Sequence, residues 1–232
     1  MITFRRSNER GHSNRGWLDS YFSFSFADYY DPKHMGFRSL RVINDDRIEP
    51  GTGFGPHGHR DMEIITYVLE GHLLHRDSMG ERHVLGPNEV QTMSAGTGIV
   101  HSEFNASDVE PVHSIQIWIL PSKEDFTPSY QQIAFAPEEK LGKMRLLAGP
   151  DEGATKIHQD ARLYVTELLP KQAVSHAMAA NRHAWIQVVR GNMTLNGHNL
   201  DEGDAAAVSE ESALGLVGAG DTGGEALIFD LG

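Results

Sequence analysis

The chain is predicted to be all-β, built as two antiparallel sandwich or barrel domains. Three observations predict this. First, helical periodicity is nearly absent, and short runs of Val, Ile, Leu and Tyr take its place. Second, 24 Gly and 10 Pro in 232 residues supply many turns. Third, the chain echoes itself: residues 63–74 (EIITYVLEGHLL) and 185–195 (WIQVVRGNMTL) each read as an apolar strand, a charged residue, a Gly and a second strand. Both are followed by a turn and an acidic step, at 86–89 (GPNE) and at 201–204 (DEGD). A repeat about 120 positions apart in a chain of this length implies two domains of similar build.

The strand candidates come in order along the chain. Residues 62–69 (MEIITYVL), 114–120 (SIQIWIL), 163–169 (LYVTELL), 185–189 (WIQVV) and 226–231 (ALIFDL) are bounded by Gly, Asn, Asp or Pro. Residues 77–80 (DSMG) read as a hairpin turn between polar strands. Residues 137–142 (PEEKLG) are the one helix candidate, with Pro in front and Gly behind. The polar stretch 149–156 (GPDEGATK) places the domain boundary, giving domains 1–148 and 149–232.

Composition narrows the function classes. Twenty Lys+Arg against 32 Asp+Glu leave a formal charge of −12. A nucleic-acid binder needs a basic footprint, so none is expected as a partner. With no cysteine, thiolate clusters, Cys zinc sites and cysteine nucleophiles are excluded. The N-terminal stretch has no apolar run fit for a signal peptide, and no run of about 18 apolar residues occurs anywhere. The expectation is a cytoplasmic, monomeric protein without membrane contact.

The chemistry-bearing feature is histidine. Seven of the 13 His lie between 57 and 113. His57 and His59 are two apart within GPHGH, and on an extended strand such residues face the same side about 6.5–7 Å apart. His101 and Glu103 repeat the spacing. Two such pairs on neighbouring strands supply three nitrogens and one carboxylate oxygen. That set suits iron(II), copper, nickel, manganese, cobalt or zinc, and suits calcium or magnesium poorly. Four ligands on an octahedral ion leave two positions open, as a catalytic site requires. His72, His75, His83 and His113 read as polar-face or supporting residues, and His12, His34, His158 and His198 as ordinary loop histidines. His176 and His183, seven apart, form no such pair.

Gly51, five residues, His57-x-His59, Glu63 and Gly71 resemble a first cupin motif. Gly98, His101 and Asn105 resemble the end of a second. The stretches 54–71 (FGPHGHRDMEIITYVLEG), 93–105 (MSAGTGIVHSEFN) and 24–46 (FSFADYYDPKHMGFRSLRVINDD) are similar to the pirin family and its bacterial quercetinase-like members. The resemblance is dense over residues 1–130 and thins thereafter. It implies a bicupin: two jelly-roll β-barrels with one metal in the N-terminal barrel, held by His57, His59, His101 and Glu103, and no other cofactor. Seven residues separate Glu63 from Gly71, and the resemblance implies that the carboxylate ligand comes instead from the His-x-Glu pair, that is from Glu103. Gly58 stands where the family often has Pro. The second barrel is read as a metal-free shell.

The resemblance further implies oxidative cleavage of a flavonol such as quercetin at its 2,3 bond with O₂, iron(II) being the favoured ion. Glu103 would be the base for the substrate hydroxyl. Phe22, Phe24, Phe26, Tyr29, Phe54 and Trp118 are candidate walls for an aromatic substrate. The alternatives are a metal-dependent protein-interaction role with a protein partner, and a cupin isomerase or dehydratase acting on a small metabolite.

Overall fold

A computed structural model describes residues 1–232. Its backbone falls into two compact units. One comprises Gly11–Phe135 and Thr155–Gln159; the other comprises Met1–Arg10, Ala136–Ala154 and Asp160–Gly232. The boundary expected at 148/149 falls inside the 136–154 segment of the second-named unit. Both the first ten residues and the 136–148 segment belong with the C-terminal half, because their strands complete its sheet.

In chain order the strands begin with β1 (Ile2–Arg5). The first-named unit follows with β2 (Gly11–Asn14), β3 (Leu18–Phe22), β4 (Leu40–Ile48), β5 (Gly53–His59), β6 (Glu63–Glu70), β7 (Leu73–Asp77), β8 (Arg82–Leu85), β9 (Glu89–Ser94), β10 (Ile99–Asn105), β11 (Val112–Ile119) and β12 (Ser129–Ala134). Then come β13 (Arg145–Ala148), β14 (Ala161–Leu168), β15 (Ala173–Ala177), β16 (His183–Gly191), β17 (Met193–Leu195), β18 (His198–Leu200), β19 (Ala205–Ser209), β20 (Ala213–Gly218) and β21 (Gly224–Leu231). All five strand candidates coincide with observed strands, although 62–69, 114–120 and 163–169 each run one residue past a strand end. The turn at 77–80 joins β7 to β8, with Gly80 N–H donating to Asp77 O at 3.2 Å. The helix candidate shrinks to one 3₁₀ turn, Pro137–Glu139, since a single short polar run offers no face to bury. No helix is long and apolar enough to cross a membrane.

In the first-named unit a seven-stranded sheet, β12-β9-β6-β11-β4-β3-β2, is accompanied by a four-stranded sheet, β5-β10-β7-β8. The strand ladders of both sheets are antiparallel. Alternate residues of a strand share a face. On β6 the alternation runs Ile64, Thr66, Val68, all buried. Ile64 joins an apolar cluster with Met93, Ala95 and Ile99, whereas Val68 joins another with Leu18, Ile48, Leu73, Leu85 and Val112. Thr66 lies between the two, in a polar layer.

That layer crosses the sheet in register. Phe22 on β3 pairs with Asn44 on β4, Asn44 with Gln116 on β11, Gln116 with Thr66 on β6, and Thr66 with Gln91 on β9. The other unit builds a six-stranded sheet, β1-β19-β16-β21-β14-β13, and a four-stranded sheet, β15-β20-β17-β18. Its interior is one aliphatic cluster, including Ile186, Val188, Leu195, Ala206, Leu216 and Ile228.

Candidate metal centre

His57 and His59 are carried by β5, the edge strand of the four-stranded sheet, and His101 and Glu103 by its neighbour β10. His57 is directly opposite His101, and His59 opposite Ile99. Past that pair the register slips, so that Glu103 faces Phe54. The extra residue lies in Gly55-Pro56, at an edge, where a proline without an N–H is tolerated. Gly53 is needed for the close approach of the two strands, since a Cβ there would stand 2.2 Å from Glu103 O.

The imidazoles converge. Ring centroids are 4.4 Å apart for His57 and His101, 4.8 Å for His59 and His101, and 4.9 Å for His57 and His59. Their ligand atoms lie within 4.8 Å of one another. A second trio at the same spacing is His75, His101 and Glu103, so His101 belongs to both. His75 enters because β7 flanks β10 on its other side, placing His75 opposite Glu103. In the sequence alone His75 reads as a polar-face or supporting residue. It is held by hydrogen bonds to Asp77 at 3.0 Å and Gln91 at 3.3 Å.

The donor set fits a divalent metal. His57 Nδ1 lies 2.8 Å from Gly55 O, so it donates to that carbonyl and leaves Nε2 as a lone pair. Both ring nitrogens of His101 are buried with no hydrogen-bond partner. Buried polar atoms are ordinarily paired, and an orphaned imidazole beside two others is explained by an ion. Burial, then the neighbouring His57, push His59 down to about 4. Burial, followed by His57, His59 and His75, lowers His101 to about 2. Both stay neutral and able to ligate at ordinary pH.

Glu103 is buried beneath them. Gln116 Nε2 donates to its Oε2 at 2.9 Å, and Thr66 Oγ1 reaches Oε1 at 3.5 Å. Trp118 Nε1 donates to Gln116 Oε1 at 3.1 Å, which orients the amide. Burial, with the Asp46 carboxylate adding repulsion, raises Glu103 to about 7. Asp46 is likewise raised to about 7, by burial and then Asp45 against a hydrogen bond from Ser20.

A cavity of about 240 Å³ opens on His57, His59 and Glu103. Its apolar wall is Trp17, Leu18, Phe22, Phe26, Phe54 and Trp118. Phe22, Phe26, Phe54 and Trp118 thus line it as expected. Phe24 and Tyr29 do not: Phe24 is buried in the core, and Tyr29 lies where a Gly11 Cβ would be. Trp17 was missed because one tryptophan in a polar N-terminal stretch carries no periodic signal. The polar floor is Ser20, Asn44, Asp46 and Gln116.

Glu63 is engaged elsewhere, accepting from Ser94 Oγ at 2.8 Å and lying 3.2 Å from His158 Nδ1. His158 is therefore no ordinary loop histidine. It also stacks on Phe126 with centroids 3.9 Å apart and so ties down Thr155–Gln159. In the other unit His176 pairs with Asp230 at 2.8 Å and His183 with Ser209 at 2.7 Å. Neither joins a trio of ligand-type side chains.

A model of the Pirin family matches residues 3–119, and one of the quercetinase C-terminal cupin domain matches residues 146–231. The chain belongs to the pirin family. It is 51% identical to quercetin 2,3-dioxygenase of Escherichia coli K12 over 233 aligned positions, covering 100% of this chain and 99% of that protein. The crystal structure of YhhW from Escherichia coli superposes with a TM-score of 0.94 at 50% identity, covering 100% of this chain and 98% of that one. The nickel(II) complex of that bacterial pirin gives 0.93 at 50%, with 100% and 99% covered. This pirin-family chain is thus a bicupin whose relatives include proteins named as quercetin dioxygenases and one that binds nickel.

Proposed function

We propose that this pirin is a metal-dependent dioxygenase that cleaves a flavonol such as quercetin at the 2,3 bond with O₂, releasing carbon monoxide. The observation that carries the reading is the orphaned His101 ring, held against His57 and His59, which in turn line an aromatic-walled cavity. His57, His59, His101 and Glu103 would hold one divalent ion, and we favour iron(II) for its chemistry toward O₂. The ion supplies Lewis acidity toward the substrate oxygens and the redox chemistry that protein side chains lack. The N-terminal barrel, 11–135 with 155–159, carries the site, and the aliphatic filling of the C-terminal barrel supports a structural role for it.

The chain's own residues do the rest. Phe22, Phe26, Phe54 and Trp118 receive a flat ligand and exclude water. Glu103 Oε1 takes the proton of the ligand's 3-hydroxyl, and the high proton affinity of this buried carboxylate suits it to that task. Gln116, oriented by Trp118, holds Oε2 at 2.9 Å, whereas Oε1 meets only the long 3.5 Å contact from Thr66 Oγ1 and is the oxygen left to take a proton. The relatives' names support the substrate class.

The test pairs metal analysis with turnover. Protein purified without chelator, or reconstituted with iron(II), is expected to hold one ion per chain, to bleach quercetin and to release carbon monoxide. Two ions per chain, or none after reconstitution, would overturn the site. A loaded protein that leaves quercetin intact would overturn the dioxygenase reading and favour an interaction role.

A further inference from the structure

Asn44 is the one member of the polar layer left unsatisfied. Along the row, Gln116 and Thr66 bond Glu103, and Gln91 bonds His75. Asn44 is 3% exposed, lines the cavity, and its Oδ1 is buried with no hydrogen-bond partner. Its cross-strand neighbours explain this. On one side stands Phe22, which has no polar atom to offer. On the other stands Gln116, whose Nε2 is given to Glu103 and whose Oε1 accepts from Trp118. Asp46, two residues on along the same face, accepts from Ser20. A buried carbonyl without a donor costs about 1–3 kcal/mol. An apolar side chain at position 44 would avoid that cost, so the retained amide points to a ligand that supplies the missing hydrogen.

We propose that Asn44 is a specificity-determining residue: its side-chain carbonyl accepts a hydrogen bond from a phenolic hydroxyl of the bound ligand other than the 3-hydroxyl that meets Glu103. This deepens, and rests on, the flavonol reading. Of the other polar groups on the cavity floor, Ser20 bonds Asp46 and Gln116 bonds Glu103 and Trp118, so the Asn44 carbonyl is the buried acceptor there that lacks a donor. The donor must therefore arrive with the substrate, and a flavonol stripped of its ring hydroxyls leaves the carbonyl unpaired. Sites built to bond a hydroxyl reject analogues that lack it far more strongly than apolar pockets reject an added one.

The experiment measures binding of a flavonol series to the metal-loaded protein by quenching of its tryptophan fluorescence, so it does not depend on turnover. The probes are 3-hydroxyflavone, galangin, kaempferol and quercetin, which add ring hydroxyls stepwise. In the wild type one step of the series is expected to tighten binding about tenfold, the equivalent of about 1.4 kcal/mol. In Asn44→Leu that step is expected to shrink to less than twofold. Because no protein hydrogen bond is lost, the variant is also expected to melt no lower than the wild type. Equal affinity of the wild type for all four probes would overturn the inference and leave the flavonol reading standing. So would an unchanged step in the variant, or a markedly lower melting temperature, which would reveal a structural partner for the amide. If Asn44→Leu fails to fold, the wild-type series still decides. No binding of any flavonol would overturn both.

Discussion

Gln116 Nε2 donates to Glu103 Oε2 at 2.9 Å, and Trp118 Nε1 fixes the same amide from its other end at 3.1 Å. A cavity-wall indole thereby orients the carboxylate through one intermediary. Neither Gln116 nor Trp118 carries a charge, so burial outweighs their bonds and raises the proton affinity of Glu103.

Glu103→Gln keeps the shape and drops the base. The three imidazoles can hold an ion without it, as three-histidine catalytic sites do. Metal content is expected to stay above half, while quercetin turnover falls about 10²–10⁴-fold. His101→Ala is expected to lose both together. Metal analysis beside loss of the flavonol's long-wavelength absorbance checks this. Near-normal turnover in loaded Glu103→Gln would assign the base elsewhere.

Gln116→Leu removes the bond to Oε2 and leaves the carboxylate buried. The charged form loses its main donor, so the Glu103 pKa should climb further. The acid limb of the turnover–pH profile is expected to move to higher pH, with activity at neutral pH down about tenfold, the scale of one lost charge-assisted bond. An unmoved limb would show that Gln116 does not tune Glu103.

The metal-free protein has opposing pH dependences. Asp46 and Glu103 are raised from 3.8 and 4.5 to about 7, so the native state holds their protons more tightly. Their contribution is present at low pH and is lost as pH climbs toward 7. His59, His75 and His101 are lowered from 6.5, so their contribution is lost as pH falls below 6.5. Between about pH 4.5 and 6.5 three rising contributions stand against two falling ones, and the melting temperature after chelation is expected to rise gently with pH. Asp46→Asn removes one falling slope, so its melting temperature should rise more steeply with pH across that window. Parallel curves for the two proteins would refute the assignment.

His176 and His183 bond to Asp230 and Ser209, not to each other. Replacing both by Ala is expected to leave metal content unchanged and to lower stability by about 1–3 kcal/mol through the lost bonds. Loss of half the metal would show a ligand role in the C-terminal barrel.

A fragment spanning 149–232 lacks β1 and β13, the two outer strands of the six-stranded sheet. It also lacks Ile2 and Phe4, which pack against that barrel's core. Exposed edges and a thinned core favour aggregation over folding. Circular dichroism with thermal melting is expected to show no cooperative transition for the fragment. In the full chain, deletion of the first five residues should cost about 2–4 kcal/mol from those two side chains. A cooperatively melting 149–232 fragment would restore the simple boundary.

By itself, the sequence determined the strand runs, the paired His57/His59 and His101/Glu103, and the absence of such a pair later in the chain. These are local signals: a period of two places residues i and i+2 on one face whatever the rest of the chain does. Only the tertiary structure decided what each face meets. The row Phe22–Asn44–Gln116–Thr66–Gln91 joins residues from five strands through their register, and no spacing within one strand encodes it. The same holds for His75 opposite Glu103, for His158 against Glu63, and for β1 completing a sheet with β19. Side-chain pairing across strands depends on hydrogen-bond register between distant segments, and packing of the whole barrel sets that register.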